Sequence, residues 1–134
     1  MGAKRHFTIV KRQHLANRLK AAQEDHLHLS FLVIDVREPE NYAKGHIKHA
    51  INYDSRSLLN WTRMDAGLLD KLKSSDKEIH LYFHCHLSLI RGPSSAKHIE
   101  NLLGSDSVLR KKVKVFLVEG GWKGWKREYP DMIE

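Results

Sequence analysis

Ile79-His80-Leu81-Tyr82-Phe83-His84 runs without a break into Cys85-His86-Leu87-Ser88-Leu89-Ile90-Arg91, and Gly92-Pro93-Ser94-Ser95 follows. The first six residues, dominated by apolar and aromatic side chains, read as a buried strand. Pro93 suits a first helical position; Ala96, Ile99, Leu102 and Leu103 then share one face, and Gly104 suits the exit. The chain's single cysteine therefore sits between a strand and a helix N-terminus.

The same alternation extends in both directions. Phe7-Thr8-Ile9-Val10 is a short strand, followed by a helix from Lys11 to Ala22 with Leu15, Ala16 and Leu19 on its inner face. Phe31-Leu32-Val33-Ile34 ends in Asp35-Val36-Arg37, as expected for a strand covered on both faces, and Glu38-Pro39 breaks it. Ala50 to Tyr53 is a brief strand, and Ser55 to Leu72 reads as one or two helices interrupted near Asp65-Ala66-Gly67. Val113 to Val118 is the last strand, and Trp122 to Glu128 a terminal helix entered through Gly120-Gly121. Strands alternating with helices predict an α/β fold with a central, mainly parallel, five-stranded sheet flanked by helices on both faces. Sites in such sheets lie at the carboxyl ends of the strands, where Cys85 falls.

The 134 residues fit one domain, with no repeat or low-complexity linker to divide it. Apolar residues at 41% and charged residues at 29% are ordinary for a folded soluble protein. No apolar run approaches a membrane span, and Met1-Gly2-Ala3-Lys4-Arg5-His6 lacks the apolar core of a secretory signal. His6 stands where an N-myristoylation motif needs Ser or Thr. A cytosolic or nuclear protein without a membrane partner is expected. The net charge of +7 favours acidic partners. Its sources are scattered, as at Lys11-Arg12, Arg110-Lys111-Lys112 and Lys126-Arg127, with no aromatic-interleaved stripe, which disfavours nucleic acid.

A cysteine and an arginine six positions apart at a strand-to-helix junction can close into a cradle whose backbone N–H groups converge on one anion. Arg91 can clamp two oxygens through its planar guanidinium, and the positive field favours the Cys85 thiolate over the thiol. Ser88 either donates to the thiolate or the anion, or satisfies local backbone groups. Gly92 leaves the helix entrance uncrowded. One cysteine excludes an intrachain disulfide and a multi-cysteine metal site. The three nearby histidines, His80, His84 and His86, do not suggest a metal centre either. Alternation should send His84 and His86 to one side and Cys85 to the other. His84 is expected to support the loop, and His86 to be either a proton donor or a solvated side chain.

Ile34-Asp35-Val36-Arg37 with Tyr42-Ala43-Lys44-Gly45-His46-Ile47-Lys48-His49-Ala50-Ile51-Asn52, and Val118-Glu119-Gly120-Gly121-Trp122 with Trp125, resemble the opening and closing signatures of the rhodanese-like fold. Between them, His84-Cys85, five residues, and Arg91-Gly92-Pro93 resemble the branch containing the cell-cycle dual-specificity phosphatases and the eukaryotic arsenate reductases, most like its small one-domain members. The loop is one residue longer than the usual sulfurtransferase loop, a size suited to a tetrahedral oxyanion. The resemblance implies Cys85 as nucleophile, Arg91 as oxyanion ligand, and the backbone of His86, Leu87, Ser88, Leu89 and Ile90 completing the substrate site, with no metal. It implies that Asp35 and Arg37 brace the sheet edge, that Gly45 and His46 serve turn and packing, and that Gly120, Gly121 and Trp122 are architectural. His86 and Ile90 stand where the cell-cycle phosphatases carry acidic loop residues, so a loop carboxylate is absent.

The expected activity is a cysteine-dependent phosphatase acting on phosphorylated protein, of the phosphotyrosine or dual-specificity kind, or on small aryl phosphates. It passes through a phosphocysteine intermediate and needs no cofactor. The alternative is an arsenate reductase using an external thiol, glutathione, with glutaredoxin as a possible partner. A sulfurtransferase and a non-catalytic phospho-binding module stand behind these two.

Overall fold

The computed structural model describes residues 5–22, 30–56 and 58–134; Met1 to Lys4, read above for targeting signals, lie outside them. Five strands form one sheet: β1 (Thr8–Val10), β2 (Phe31–Asp35), β3 (Ile51–Asn52), β4 (Ile79–His84) and β5 (Val113–Val118). Their spatial order is β1-β5-β4-β2-β3, and every pair is parallel. The helices are α1 (Arg12–Ala22), α2 (Pro39–Lys44), α3 (Leu58–Lys73), α4 (Arg91–Gly104), α5 (Leu109–Lys112) and α6 (Gly121–Glu128).

Period-two alternation splits the core into two layers, as a doubly covered parallel sheet requires. Ile79, Leu81 and Phe83 of β4 and Val113, Val115 and Leu117 of β5 pack with Met64, Leu68 and Leu72 of α3 and Ala96, Ile99 and Leu103 of α4. On the other face Phe31, Val33, Tyr82 and Val118 meet Leu15, Ala16 and Leu19 of α1 and Trp122 and Trp125 of α6. Each fully buried aliphatic side chain contributes roughly 1.5–3 kcal/mol, so the two layers carry most of the folding free energy. Among the described residues, no helix is long and apolar enough to cross a membrane.

Four local expectations are corrected. The helix expected to break near Asp65-Ala66-Gly67 is continuous from Leu58 to Lys73. Met64, Leu68 and Leu72 fall on one buried stripe, and that packing outweighs the roughly 1 kcal/mol that an interior glycine costs. Glu38-Pro39 ends the extended segment but also opens α2, with Pro39 in the first turn, where a missing N–H loses no helical bond. For the same reason α4 starts at Arg91, two residues before Pro93. The unexpected α5 buries Leu109; Asp106 Oδ1 accepts the backbone N–H groups of Val108 and Leu109, each at 3.0 Å.

The strand order positions the site. Because β2 and β4 are neighbours with Asp35 opposite His84, the segments leaving them, 36–38 and 85–91, emerge side by side at the carboxyl edge of the sheet.

Candidate active site

Cys85 continues the alternation of β4 into the α3–α4 layer, where it is only 5% exposed. Its thiol lies at the mouth of α4, and the approach is close. A Cβ added to Gly92 would stand 3.0 Å from Leu117 Cδ1, 3.4 Å from the Cys85 nitrogen and 3.5 Å from its Sγ. Gly92 thus lets the helix N-terminus, with its unpaired N–H groups, draw up to the sulfur.

The loop after Cys85 is held by its carbonyls. The Trp122 N–H donates to the Cys85 oxygen at 2.9 Å and the Lys123 N–H to the His86 oxygen at 3.0 Å. This approach requires glycine at 121: its φ is +56°, and a Cβ there would come within 2.5 Å of the Cys85 carbonyl oxygen. None of the backbone N–H groups from His86 to Ile90 donates to another group among the described residues. Ser88 adopts a left-handed φ of +58°. It is 6% exposed, yet its hydroxyl has no hydrogen-bond partner. A buried hydroxyl without a partner is costly unless a ligand takes it, and the free N–H groups beside it can serve the same anion. Outside this cradle, Leu87, Leu89 and Ile90 are exposed, the last two at 72% and 76%.

Arg91 does not stand free. Its Nη1 donates to Glu38 Oε1 at 2.6 Å, while Asn41 Nδ2 donates to Glu38 Oε2 at 2.9 Å. The Arg91 hydrogen bond holds the Glu38 carboxyl down at about 2, so it is ionised at neutral pH. Glu38, Asn41, Lys44, His86, Arg91 and Lys126 line a cleft of about 680 Å³ that also reaches Arg37, Gly45 and Trp122. Four cations and one carboxylate face it, a balance suited to a negatively charged ligand.

Behind the cleft lies an electrostatic brace, closed between Asp35 and Arg37 but leaving the buried His84 Nε2 without a hydrogen-bond partner among the described residues. Asp35 is fully buried; Arg37 reaches it through Nε at 3.0 Å, Nη2 at 2.7 Å and its backbone N–H at 3.0 Å. Burial pushes the Asp35 carboxyl up, but the neighbouring positive charge and the Arg37 hydrogen bonds outweigh it and leave it below the usual range. Arg37 Nη2 also donates to the Gly45 oxygen at 2.8 Å, and its guanidinium lies 4.8 Å from the centre of the Trp122 ring. The fully buried His84 donates from Nδ1 to the Cys85 oxygen at 3.1 Å. Burial lowers its pKa, so the imidazole is neutral.

Cys85, His86, Leu87, Ser88, Leu89 and Ile90 form the loop, Arg91 opens α4 with its guanidinium on Glu38, and the structure separates the two histidines expected on one side. Strand β4 ends at His84, so the alternation stops there. His84 turns into the brace, while His86 is exposed on the cleft. Among the described residues there is no cluster of three or more His, Cys, Asp or Glu side chains able to hold a metal ion. Sequence reasoning missed Glu38, Asn41, Lys44 and Lys126. The available signal for Glu38 was its place just past the carboxyl end of a buried strand.

Comparison with known proteins bears on the fold and the family. The rhodanese-like domain matches residues 15–128. The dual specificity phosphatase Cdc25 of Arabidopsis thaliana is 31% identical over 101 residues, 75% of this chain and 65% of that protein. Arsenate reductase 2.1 of Oryza sativa subsp. japonica is 30% identical over 94 residues, 70% of this chain and 55% of that protein. The chain therefore spans a little under two thirds of one relative and just over half of the other. Among solved structures, Saccharomyces cerevisiae Ygr203w, described as a homolog of single-domain rhodanese and the Cdc25 phosphatase catalytic domain, superposes with a TM-score of 0.78. That match is at 25% identity and covers 98% of this chain and 88% of that one.

Proposed function

The chain belongs to the rhodanese-like domain family, and on that premise we propose that it is a cysteine-dependent phosphatase, acting on phosphorylated protein or small aryl phosphates. The observation that carries this reading is the run of partnerless N–H groups from His86 to Ile90 between Cys85 and Arg91. Five unengaged donors and a buried hydroxyl in the loop that follows one thiol suit a tetrahedral anion with three equatorial oxygens. Persulfide transfer needs no such ring.

The reaction follows from the layout. The thiolate attacks phosphorus as the ester P–O bond breaks, and the amides and Arg91 stabilise the equatorial oxygens. Water then attacks the phosphocysteine, phosphate leaves, and the thiolate returns. The rigid brace behind the loop keeps donors aimed before substrate arrives, and this preorganisation supplies electrostatic catalysis. A cytosolic or nuclear setting is part of the proposal.

A second reading has its own support: Cys85 is the only cysteine, and the Oryza sativa relative is named an arsenate reductase. In that reaction the thiolate attacks arsenic, and glutathione attacks the Cys85 sulfur. Arsenite and a mixed disulfide result, the two thiols supplying two electrons, and a glutaredoxin restores the thiol.

Wild type and Cys85→Ser should be assayed side by side for aryl phosphate hydrolysis, for arsenite formation with glutathione and glutaredoxin, and for thiocyanate formation from thiosulfate and cyanide. Hydrolysis by wild type and its loss in Cys85→Ser are expected. An inert wild type overturns the phosphatase reading, arsenite formation establishes the second, and thiocyanate formation would reinstate sulfur transfer. Tight phosphopeptide binding with no turnover would indicate a binding module.

A further inference from the structure

The loop contains no carboxylate, yet cleavage of an ester with a basic leaving group needs a proton donor. One carboxyl group stands at the loop from outside it. Glu38, carried by the segment leaving β2, reaches the guanidinium of Arg91 at 2.6 Å, and both residues line the cleft that His86 borders. An oxyanion clamped by Arg91 competes with Glu38 for that guanidinium, so the carboxylate and the anion meet at the same cation.

We propose that Glu38 is the proton donor of this site and that the substrate itself arms it by drawing Arg91 away. This inference rests on the phosphatase reading. The Arg91 hydrogen bond keeps Glu38 ionised. Once a phosphoryl group occupies the cradle, the guanidinium charge is spent on its oxygens, and Glu38 faces a dianion instead of a cation paired with it. Both changes favour the protonated carboxyl. The proton is taken from solvent as the substrate binds. As the S–P bond forms and the P–O bond breaks, the leaving oxygen receives the bonding pair and the Glu38 proton. The carboxylate then accepts a proton from the water that cleaves the S–P bond.

The surroundings limit how far this shift can go. Asn41 donates to the second carboxylate oxygen, and the charge of Arg56, beyond β3, also acts on Glu38. Arg37, Lys44 and Lys126 face the same cleft and oppose protonation. His86 is the competing donor there, but it is exposed and its imidazole has no hydrogen bond to orient it among the described residues.

Two measurements test the proposal. The first needs no turnover: calorimetry of tungstate binding to Cys85→Ser near pH 6, in buffers of different ionisation enthalpy. Proton uptake on binding is expected. It should be retained when His86→Asn is added and lost when Glu38→Gln is added. No uptake, or uptake that survives Glu38→Gln, overturns the proposal even if the protein is a phosphatase. The second compares leaving groups. Glu38→Gln should lower kcat for phenyl phosphate by roughly 10²-fold and change kcat for a nitro-substituted aryl phosphate far less, while removing the high-pH fall of the phenyl phosphate profile. Equal losses on both substrates would mark Glu38 as merely structural and overturn the proposal. If wild type hydrolyses neither substrate, the phosphatase reading fails, and the proton uptake still decides the role of Glu38.

Discussion

Two segments leave neighbouring strands at the same edge of the sheet and end in opposite states. After β2, Asp35 and Arg37 satisfy one another inside the protein, with Gly45 and Trp122 taking up the remaining guanidinium surface. After β4, the loop from His86 to Ile90 keeps its N–H groups unengaged, holds a buried hydroxyl without a partner, and exposes aliphatic side chains. A cradle with unmet hydrogen-bonding demands persists only beside something that cannot yield. The adjacent brace supplies that rigidity, and Glu38 belongs to both, leaving β2 but paired with the arginine of the β4 loop.

The contrast is most severely tested by breaking the closed segment. Asp35→Ala leaves Arg37 charged and buried without its partner, and a loss of roughly 3–5 kcal/mol is expected in urea unfolding. A loss below about 1 kcal/mol would mean that the brace is not the rigid element. Gly121→Ala attacks the join between the β4 loop and α6. It places a side chain at positive φ against the Cys85 carbonyl, so stability should fall by about 2 kcal/mol or more. Oxyanion binding should weaken as well, and unchanged phosphate affinity would separate the loop from α6.

A smaller effect comes from pH. Burial lowers the pKa of His84 in the folded protein, whereas the unfolded chain titrates near the ordinary value of about 6.5. The unfolded state therefore binds the proton more readily. The stability that His84 contributes is complete above that pH and is lost as pH falls below it toward the folded value. Thermal melts from pH 7.5 to 5 should show the decline, and His84→Gln should flatten it; an unchanged slope would exclude His84 as its source. The smallest change is expected at Ser88. Ser88→Ala removes a buried hydroxyl with no partner, so stability should hold or rise by up to about 1 kcal/mol, while phosphate binds several-fold more weakly. Lower stability with unchanged binding would show that the hydroxyl serves the fold.

What could be read from the sequence was whatever is local. The five strands declare themselves through apolar runs, and Cys85 and Arg91 through a spacing closed within one loop. The partnership of Arg91 with Glu38 spans 53 positions and depends on β2 lying beside β4, a neighbour relation that no short pattern encodes. Likewise, Gly120-Gly121 marked a helix entrance, but only the fold shows that its first amides grip the Cys85 and His86 carbonyls. The break expected in α3 failed because Met64, Leu68 and Leu72 bind that helix to the sheet more strongly than glycine weakens it.

The grip of α6 on the loop also sets a timetable. Trp122 and Lys123 come 37 residues after the carbonyls they hold, Cys85 and His86 respectively. The backbone of Met132 and Glu134 then ties that same end of the chain to Lys48 and His46, beside the brace. During synthesis the nucleophile emerges well before the amides that shape its cradle. A nascent chain halted before Trp122 would display the loop without the amides that hold its carbonyls, and competence would arrive only when α6 docks.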